Sequence, residues 1–272
     1  MGFLNKLTRG LVGREARARG KEGARAYGIG DIHGRLDLLE TLLARIEADI
    51  ASRPRRRTYI VFLGDLIDRG PDSSGVIERL RQWRPRHARP IFLGGNHEEV
   101  LLRVVVGGDA RVLADWLKFG GAECLQSYGL DPDALRRMED EAAIAAVRAA
   151  VPRAHVEFLE GFADTFRFGD YLFVHAGIRP GVAVEEQERQ DLRWIREPFL
   201  SDAKEHGMVV VHGHTIVDAV EERANRIAID TGAYRTGILT AIGLEEEQRW
   251  FLSTAPGASH PASAASVNAA LR

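Results

Sequence analysis

Cysteine is almost absent from this chain. Only one occurs in its 272 residues, Cys124, and a single thiol can form neither an internal disulfide nor a zinc site built from four thiolates. Small secreted domains that depend on disulfides are therefore excluded as a class. A reducing, cytoplasmic compartment is the expected location.

Long apolar runs are absent as well. The N-terminal sequence MGFLNKLTRGLVGREARARGKEGAR contains no apolar stretch that could form a signal-peptide core or a membrane span, and no small-residue cleavage site. We therefore expect neither secretion nor stable membrane insertion. Residues 1–25 are rich in arginine and lysine, and we interpret them as a basic N-terminal arm that makes at most a weak contact with an anionic membrane.

An excess of charge of one sign is also missing. Lys and Arg number 37 against 39 Asp and Glu, which gives a formal net charge of -2, so nucleic acid is not an expected partner. With 45% hydrophobic and 28% charged residues, the composition is that of an ordinary globular protein.

Three strand-loop-helix units follow the arm. In each unit a short apolar run ends in a loop that contains glycine, and apolar residues at helical spacing come next. The predicted strands begin at residues 26, 58 and 90. Three such units in succession favour an α/β fold with a mostly parallel sheet and crossover helices.

The second half of the chain predicts a helical insertion and further strands. Residues 109–165 have a helical pattern, and we expect them to interrupt a catalytic domain that spans 26–253. The Ala-, Ser- and Pro-rich residues 254–272 are expected to form a disordered tail. We expect a second, more antiparallel sheet from the runs YLFVHAG, MVVVHGHT, NRIAIDTGA, GILTAIGLE and QRWFLST.

Polar side chains cluster where five of the predicted strands end. In open α/β sheets, ligands bind in the crevice beyond the carboxyl ends of the strands, and five polar loops at one rim are not explained by turn chemistry alone. The clustered residues are Asp31, His33, Asp65, Asp68, Arg69, Asn96, His97, Glu98, His175, His212 and His214.

These side chains indicate a metal centre. Carboxylate, imidazole and amide donors without thiolate suit Mn, Fe or Zn, and there are more candidates than one tetrahedral site uses. Two ions that share a bridging carboxylate would account for them. Such a pair clamps the attacking and leaving oxygens of a displacement at phosphorus, and Arg69 beside it could hold phosphoryl oxygens through a bidentate contact.

Five motifs occur in order along the chain: GDIHG (30–34), GDLIDRG (64–70), GNHE (95–98), HAG (175–177) and GHT (213–215). Together they resemble the calcineurin-like metallophosphoesterases. More narrowly, they resemble the phosphoprotein phosphatase branch, with its bacterial and phage Ser/Thr phosphatases and the similar symmetrical diadenosine tetraphosphatases. The resemblance covers about residues 26–250 and implies a four-layer α/β/β/α sandwich with two mixed sheets and a helical insertion.

The resemblance also implies two divalent metal ions, Mn in the first place, with Fe and Zn as alternatives. The matched positions divide into a first site, a bridge and a second site. The implied ligands are Asp31 and His33 in the first site, Asp65 as the bridge, and Asn96, His175 and His214 in the second.

The implied catalytic residues lie beside these ligands. His97 would act as the general acid that protonates the leaving alkoxide, and Asp68 would hold and charge its imidazole. The family places a second phosphate-binding arginine after a tryptophan, where Arg196 occurs and Arg193 is a weaker competitor. The phosphate-binding residues would be Arg69, Asn96 and Arg196.

For three further residues a structural role is an alternative to a role in metal binding or catalysis. His212 would share a face with His214 if the strand continued, which leaves a metal or supporting role open. Glu98 is expected to cap or support the helix that starts there, and Asp230 is expected to form a structural turn.

The function implied is hydrolysis of phosphomonoesters by direct attack of metal-bound hydroxide. Phosphoserine and phosphothreonine in proteins come first, and phosphotyrosine is a further substrate. HAG and GHT stand where eukaryotic members read HGG and GHQ, which favours a bacterial-type enzyme.

Two other functions remain open. The first is hydrolysis of diadenosine tetraphosphate or another nucleotide phosphoanhydride, in which basic side chains such as Arg103, Arg111 and Lys118 could hold extra phosphates. The second is an inactive binding module, against which the intact motif residues argue. A phosphoprotein or a nucleotide is thus the expected partner.

Overall fold

A computed structural model describes residues 18–255, so most of the predicted arm and tail, residues 1–17 and 256–272, lie outside the described residues. The strands are β1 (Ala24–Ile29), β2 (Arg57–Phe62), β3 (Ala88–Phe92), β4 (Thr165–Phe168), β5 (Tyr171–Val174), β6 (Val209–His212), β7 (Glu221–Glu222), β8 (Arg226–Ala228), β9 (Thr240–Glu245) and β10 (Gln248–Ser253). The α-helices are α1 (Leu36–Ser52), α2 (Ser73–Gln82), α3 (Asn96–Val105), α4 (Ala110–Trp116), α5 (Gly121–Ser127), α6 (Pro132–Leu135), α7 (Asp140–Ala150), α8 (Arg153–Glu160), α9 (Arg189–Trp194) and α10 (Ala233–Thr236).

The strands form two mixed sheets of five strands each. The first has the order β10-β9-β1-β2-β3, and the second has the order β4-β5-β6-β8-β7. In the first sheet β1, β2 and β3 are parallel, as the three strand-loop-helix units predict. The predicted α/β fold with two mixed sheets is therefore confirmed.

The prediction of a second, more antiparallel sheet was wrong in two respects. The runs GILTAIGLE and QRWFLST form β9 and β10, which join the first sheet because β9 pairs with the free edge of β1. The centre of the second sheet, β5-β6-β8, is parallel, and only its edge strands β4 and β7 are antiparallel. A hairpin such as β9–β10 carries no signal in its own sequence for the edge that it pairs with.

The side-chain alternation of the strands builds a four-layer arrangement. In β1, Ala24 and Ala26 face the second sheet, whereas Tyr27 and Ile29 face the helices α1 and α2. The second sheet buries its inner face against the first. Its outer face packs on the segment around α9, where Leu192, Ile195 and Phe199 meet Leu172, Val174 and Val210. Each sheet is thus covered on both faces.

Helix ends follow local capping chemistry. The Asp72 carboxylate accepts a hydrogen bond from the Gly75 amide at 2.8 Å at the start of α2, and the Asp109 carboxylate accepts one from the Val112 amide at 3.1 Å at the start of α4. The segment predicted as an insertion, 109–165, contains the helices α4 to α8. Of these helices, α5 and α8 pack against α2, and α4, α7 and α8 pack against α3.

The described part of the predicted N-terminal arm packs on the sheets. The Gly20 amide donates to the Glu246 carbonyl at 2.7 Å. Arg25 is buried in β1, where its guanidinium lies 2.6 Å from the Glu245 carboxylate. The first strand thus begins at Ala24, two residues before the start predicted from the sequence, and it includes the buried Arg25. Among residues 18–255, none of the helices combines the length and apolarity that a bilayer crossing requires.

The close approach of the two sheets depends on a small residue in β1. A Cβ atom on Gly28 would lie 2.6 Å from a ring carbon of the fully buried Phe173. We predict that Gly28→Ala lowers the free energy of unfolding by about 1–3 kcal/mol because the packed sheets must separate. The matched control is Gly161→Ala at the end of α8, where the nearest atom is 3.4 Å away. Urea denaturation measures both, and equal stability of the two variants would contradict the prediction.

Candidate metal centre

The strand ends of both sheets converge on one buried site. From the first sheet come the residues after β1, β2 and β3, and from the second sheet come those after β5 and β6. Nearly all of their polar side chains are buried. The residues brought together are Asp31, His33, Asp65, Asp68, Asn96, His97, His175 and His214.

The backbone at this site is strained. Within residues 18–255, six non-glycine residues adopt the left-handed conformation, and all but Glu246 belong to these loops. Each such residue costs about 1–3 kcal/mol and persists only where its surroundings enforce it. Strain concentrated in this way is typical of a functional site. The five are His33, Asp65, Asp68, Arg69 and His214.

Asp65 lies at the centre of the site. Its carboxylate belongs to two groups of potential metal ligands, one with His33 and His97 and the other with His175 and His214. One oxygen, Oδ2, is 3.6 Å from His33 Nε2, and the other, Oδ1, is 3.4 Å from His175 Nε2. A carboxylate with one oxygen toward each group has the geometry of a bridging ligand.

Backbone carbonyls determine which imidazole nitrogens face Asp65. His33 Nδ1 is 2.8 Å from the Ile67 carbonyl, and His175 Nδ1 is 2.9 Å from the Leu63 carbonyl. Because a carbonyl oxygen only accepts, each Nδ1 carries the proton and each Nε2 presents a lone pair to the site. Metal-binding histidines are oriented in the same way. Burial lowers the pKa of both imidazoles, which keeps them neutral.

The donor set fits divalent cations. The unprotonated His175 Nε2 lies 3.0 Å from Asn96 Oδ1, so two lone pairs face each other, and a cation beside them would make this contact favourable. Within residues 18–255, Asp31 Oδ1 and His214 Nε2 are buried without a hydrogen-bond partner. Such atoms are costly unless a ligand satisfies them.

Buried carboxyl groups repel one another here. Burial raises the pKa of Asp31 well above its ordinary value, and the charges of Asp230 and Asp65 raise it further. Burial also raises the pKa of Asp230 to about 6. Positive charge within the site would offset this repulsion.

The predicted acid and its partner are in contact. His97 Nδ1 donates to Asp68 Oδ2 at 2.5 Å, and His97 Nε2 lies 3.8 Å from Asp65 Oδ2. Burial alone would lower the pKa of His97, but the charge of Asp65 and the hydrogen bond to Asp68 outweigh it and raise the pKa to about 9. The protonated imidazole therefore points its free N–H toward the metal-ligand cluster.

The three arginines considered for phosphate binding differ in how far other side chains already engage them. Arg69 Nη1 donates to His33 Nε2 at 2.9 Å, and its guanidinium lies over the Tyr234 ring, 4.9 Å from the ring centroid. Arg193 is held by the Asp164 carboxylate at 2.7 Å. Arg196 is exposed, and its charge is one of those that lower the pKa of His214. Of these two arginines, Arg193 is thus engaged in an ion pair, whereas Arg196 is exposed to solvent.

The structure also shows the surroundings of His212 and Asp230, for which the sequence left a structural role open. His212 lies outside both ligand groups, and its ring packs edge-on against Phe199 at 5.1 Å. The strand ends at His212, so the shared face with His214 does not arise. Asp230 accepts a hydrogen bond from the Gly232 amide at 2.9 Å, as expected for a turn.

Sequence reasoning anticipated Glu98 in part and missed one contact. The Glu98 carboxylate accepts from the Gly95 amide at 2.9 Å, and also from the amides of Asp65 at 2.9 Å and Leu66 at 2.7 Å in the neighbouring loop. Burial raises the pKa of Glu98 to about 7. The missed contact is Trp116, whose indole donates to Asp68. An aromatic residue in an amphipathic helix gives no signal in the sequence for such a role.

Comparison with known proteins decides the family. A family model described as calcineurin-like phosphoesterase matches residues 24–238. The chain belongs to the calcineurin-like phosphoesterase family. The resemblance drawn from the five motifs is confirmed, and the phosphoesterase is an enzyme that hydrolyses phosphoric esters. The family implies divalent metal ions, which the donor set of this site fits.

Relatives of this phosphoesterase have different names. The symmetrical bis(5'-nucleosyl)-tetraphosphatase of Dechloromonas aromatica is 28% identical, and the alignment covers 86% of this chain and 98% of the relative. Serine/threonine-protein phosphatase 1 of Salmonella typhimurium is 29% identical, with 82% and 94% covered. The fold is similar to the crystal structure of a protein named provisionally as a diadenosine tetraphosphatase. Its TM-score is 0.60 at 20% identity, with 88% of this chain and 100% of that chain covered.

The position of Asp65 between the two ligand groups generates a prediction about metal content. We expect Asp65→Asn to lose most of the bound metal at both sites, because the amide offers one neutral oxygen in place of two charged ones. Metal analysis after reconstitution with Mn and removal of excess ion measures the loss. The control is Asp109→Asn, which keeps a capping side chain on α4 away from the site. Full metal content in the Asp65 variant would contradict the bridging role.

Proposed function

We propose that this phosphoesterase is a dinuclear-metal phosphatase that hydrolyses phosphomonoesters, with phosphoserine and phosphothreonine in proteins as its main substrates and phosphotyrosine as a further one. One observation carries the proposal. The Asp65 carboxylate belongs to both ligand groups and also lies 3.8 Å from His97 Nε2. A proton donor and a metal pair can therefore act on one phosphoryl group.

Different residues of the chain act in different parts of the reaction. The two ions, when bound, lower the pKa of a water molecule and offset the charge of the phosphoryl group. A water molecule that has released one proton to solvent forms the new P–O bond; as the ester P–O bond breaks, His97 Nε2 gives its proton to the departing oxygen. Asp68 holds the opposite nitrogen of the ring, at 2.5 Å. Arg69 and Arg196 bind the non-bridging phosphoryl oxygens.

We further propose Asp31, His33, Asp65, Asn96, His175 and His214 as the ligands and Mn as the metal, with Fe and Zn as alternatives. The carboxylate, imidazole and amide donors support this choice. Asn96 is also a proposed phosphate ligand. A cytoplasmic location agrees with the single, fully buried thiol, Cys124.

Hydrolysis of a nucleotide phosphoanhydride is the second candidate, because several relatives are named as bis(5'-nucleosyl)-tetraphosphatases. Two of the cations considered for binding the extra phosphates give it little support. Arg103 is paired with Asp109 at 2.9 Å, and Lys118 is paired with Asp115 at 2.9 Å. Each of these two cations is thus balanced by a neighbouring carboxylate.

Removal of metal tests the mechanism. We predict that the chelated enzyme loses turnover of p-nitrophenyl phosphate by several orders of magnitude and regains it with Mn, since neither nucleophile nor charge compensation is available without the ions. Steady-state rates before and after dialysis against Mn measure the effect. Undiminished turnover in metal-free protein would contradict a metal-dependent reaction.

The substrate class needs a direct comparison. We expect kcat/KM on a phosphoserine peptide to exceed that on diadenosine tetraphosphate, because Arg103 and Lys118 are already paired with carboxylates. A phosphotyrosine peptide and p-nitrophenyl phosphate complete the panel. A preference of about a hundredfold for the dinucleotide would reverse the order of the two candidate functions.

A further inference from the structure

A tryptophan from the insertion reaches the catalytic pair. Trp116, at the end of α4, is buried, and its indole Nε1 donates to Asp68 Oδ2 at 2.6 Å. The same oxygen accepts the hydrogen bond from His97 Nδ1 at 2.5 Å. We infer that Trp116 is a positioning residue for proton transfer, acting through Asp68 on His97; the inference rests on the proposed function.

The Asp68 carboxylate has few other partners. It is fully buried, and within residues 18–255 its second oxygen, Oδ1, has no hydrogen-bond partner. Within the described residues, the indole and the His97 imidazole are the two nitrogen donors on Oδ2, and the buried thiol of Cys124 lies close to the same carboxylate. In a buried site a carboxylate that loses one of two donors becomes less well placed and less well stabilised. The orientation of the His97 ring depends on that carboxylate.

A second contact from the same segment holds the neighbouring residue. The Gly120 carbonyl accepts a hydrogen bond from the Arg69 amide at 3.0 Å. A Cβ on Gly120 would lie 2.9 Å from the Arg69 amide nitrogen, so the two backbones are in close contact. Asp68 and Arg69 both have the strained left-handed conformation, with φ of 74° and 65°. Residues 116–120 thus support a loop that would otherwise relax.

Substrates with different leaving groups distinguish a role of Trp116 in proton transfer from a role in packing alone. The serine alkoxide of a phosphoserine peptide must be protonated as it departs, whereas p-nitrophenolate departs as a stable anion. A weakened proton donor therefore slows hydrolysis of the peptide and leaves that of p-nitrophenyl phosphate nearly unchanged. A general loss of structure would lower both rates together.

The test is Trp116→Phe, which keeps an aromatic ring and removes the N–H donor. We expect kcat on the phosphoserine peptide to fall about tenfold with KM changed less than about twofold, while kcat on p-nitrophenyl phosphate changes less than about twofold. His97→Ala should show the same selective pattern with a larger loss. In an Asp68→Ala background, Trp116→Phe should have no further effect on the ratio of the two rates.

Trp250→Phe is the matched control. Trp250 is also buried, and its Nε1 donates at 3.1 Å to Asp49 Oδ2, an oxygen that Tyr27 and Arg53 also contact. The substitution removes the same volume and the same type of hydrogen bond from the core, away from the catalytic loops. We expect its rate ratio to equal that of the wild type.

The outcomes separate the inference from the proposed function. Equal losses on both substrates, or an unchanged peptide rate, would overturn the role of Trp116. A wild-type enzyme inactive on both esters would contradict the proposed function instead. The NMR resonance of the His97 Nδ1 proton then decides the inference, because it should shift in the Trp116 variant and stay in the Trp250 variant. If Trp116→Phe does not fold, benzothienylalanine at position 116 keeps the shape of indole without its donor, and the same measurements apply.

Discussion

The burial of several carboxyl groups around Asp65 is the constraint on which the rest of the site depends. Asp31, Asp65 and Asp230 are all buried within a few residues of strand ends. In the interior, such groups are tolerated only with compensating charge or donors. The chain supplies neutral imidazoles whose lone pairs face inward rather than enough cations of its own. The protein's own cations therefore do not neutralise the buried carboxylates around Asp65. Bound metal ions would supply the missing positive charge, which is the physical basis of a metal centre here.

Strain and support are balanced in the loops around this place. Left-handed conformations at His33, Asp65 and His214 turn the backbone sharply after each strand, so that short loops can direct side chains inward. Hydrogen bonds between loops compensate. The amides of Ile32 and His33, for example, both donate to the Asp65 carbonyl. A rigid set of ligands follows, which favours a defined metal geometry over a flexible one.

Much of the fold and nearly all of the candidate site followed from local patterns. Strand-loop-helix units predict parallel strands, because each crossover helix returns the chain to the end of the sheet at which the previous strand began. The site residues were identifiable because several chemistry-bearing types recur at strand ends within recognisable motifs. The edge chosen by β9 was not predictable, since pairing depends on which strand is left open in the assembled sheet. The contact of Trp116 with Asp68 was equally hidden, because 48 residues separate them and only packing of the insertion brings them together.

The hydrogen bonds of Glu98 link the catalytic loops to the alignment of β2 and β3. One carboxylate on α3 holds amides of the β2 loop as well as the start of its own helix. These contacts are possible only when β3 lies beside β2 in the native register, with Ile60 opposite Pro90. A slip of one residue would turn the alternate side chains to the wrong faces and withdraw Glu98 from the loop. A chain with every motif intact could thus be devoid of activity, so enzymatic turnover reports strand alignment as well as the presence of the catalytic residues.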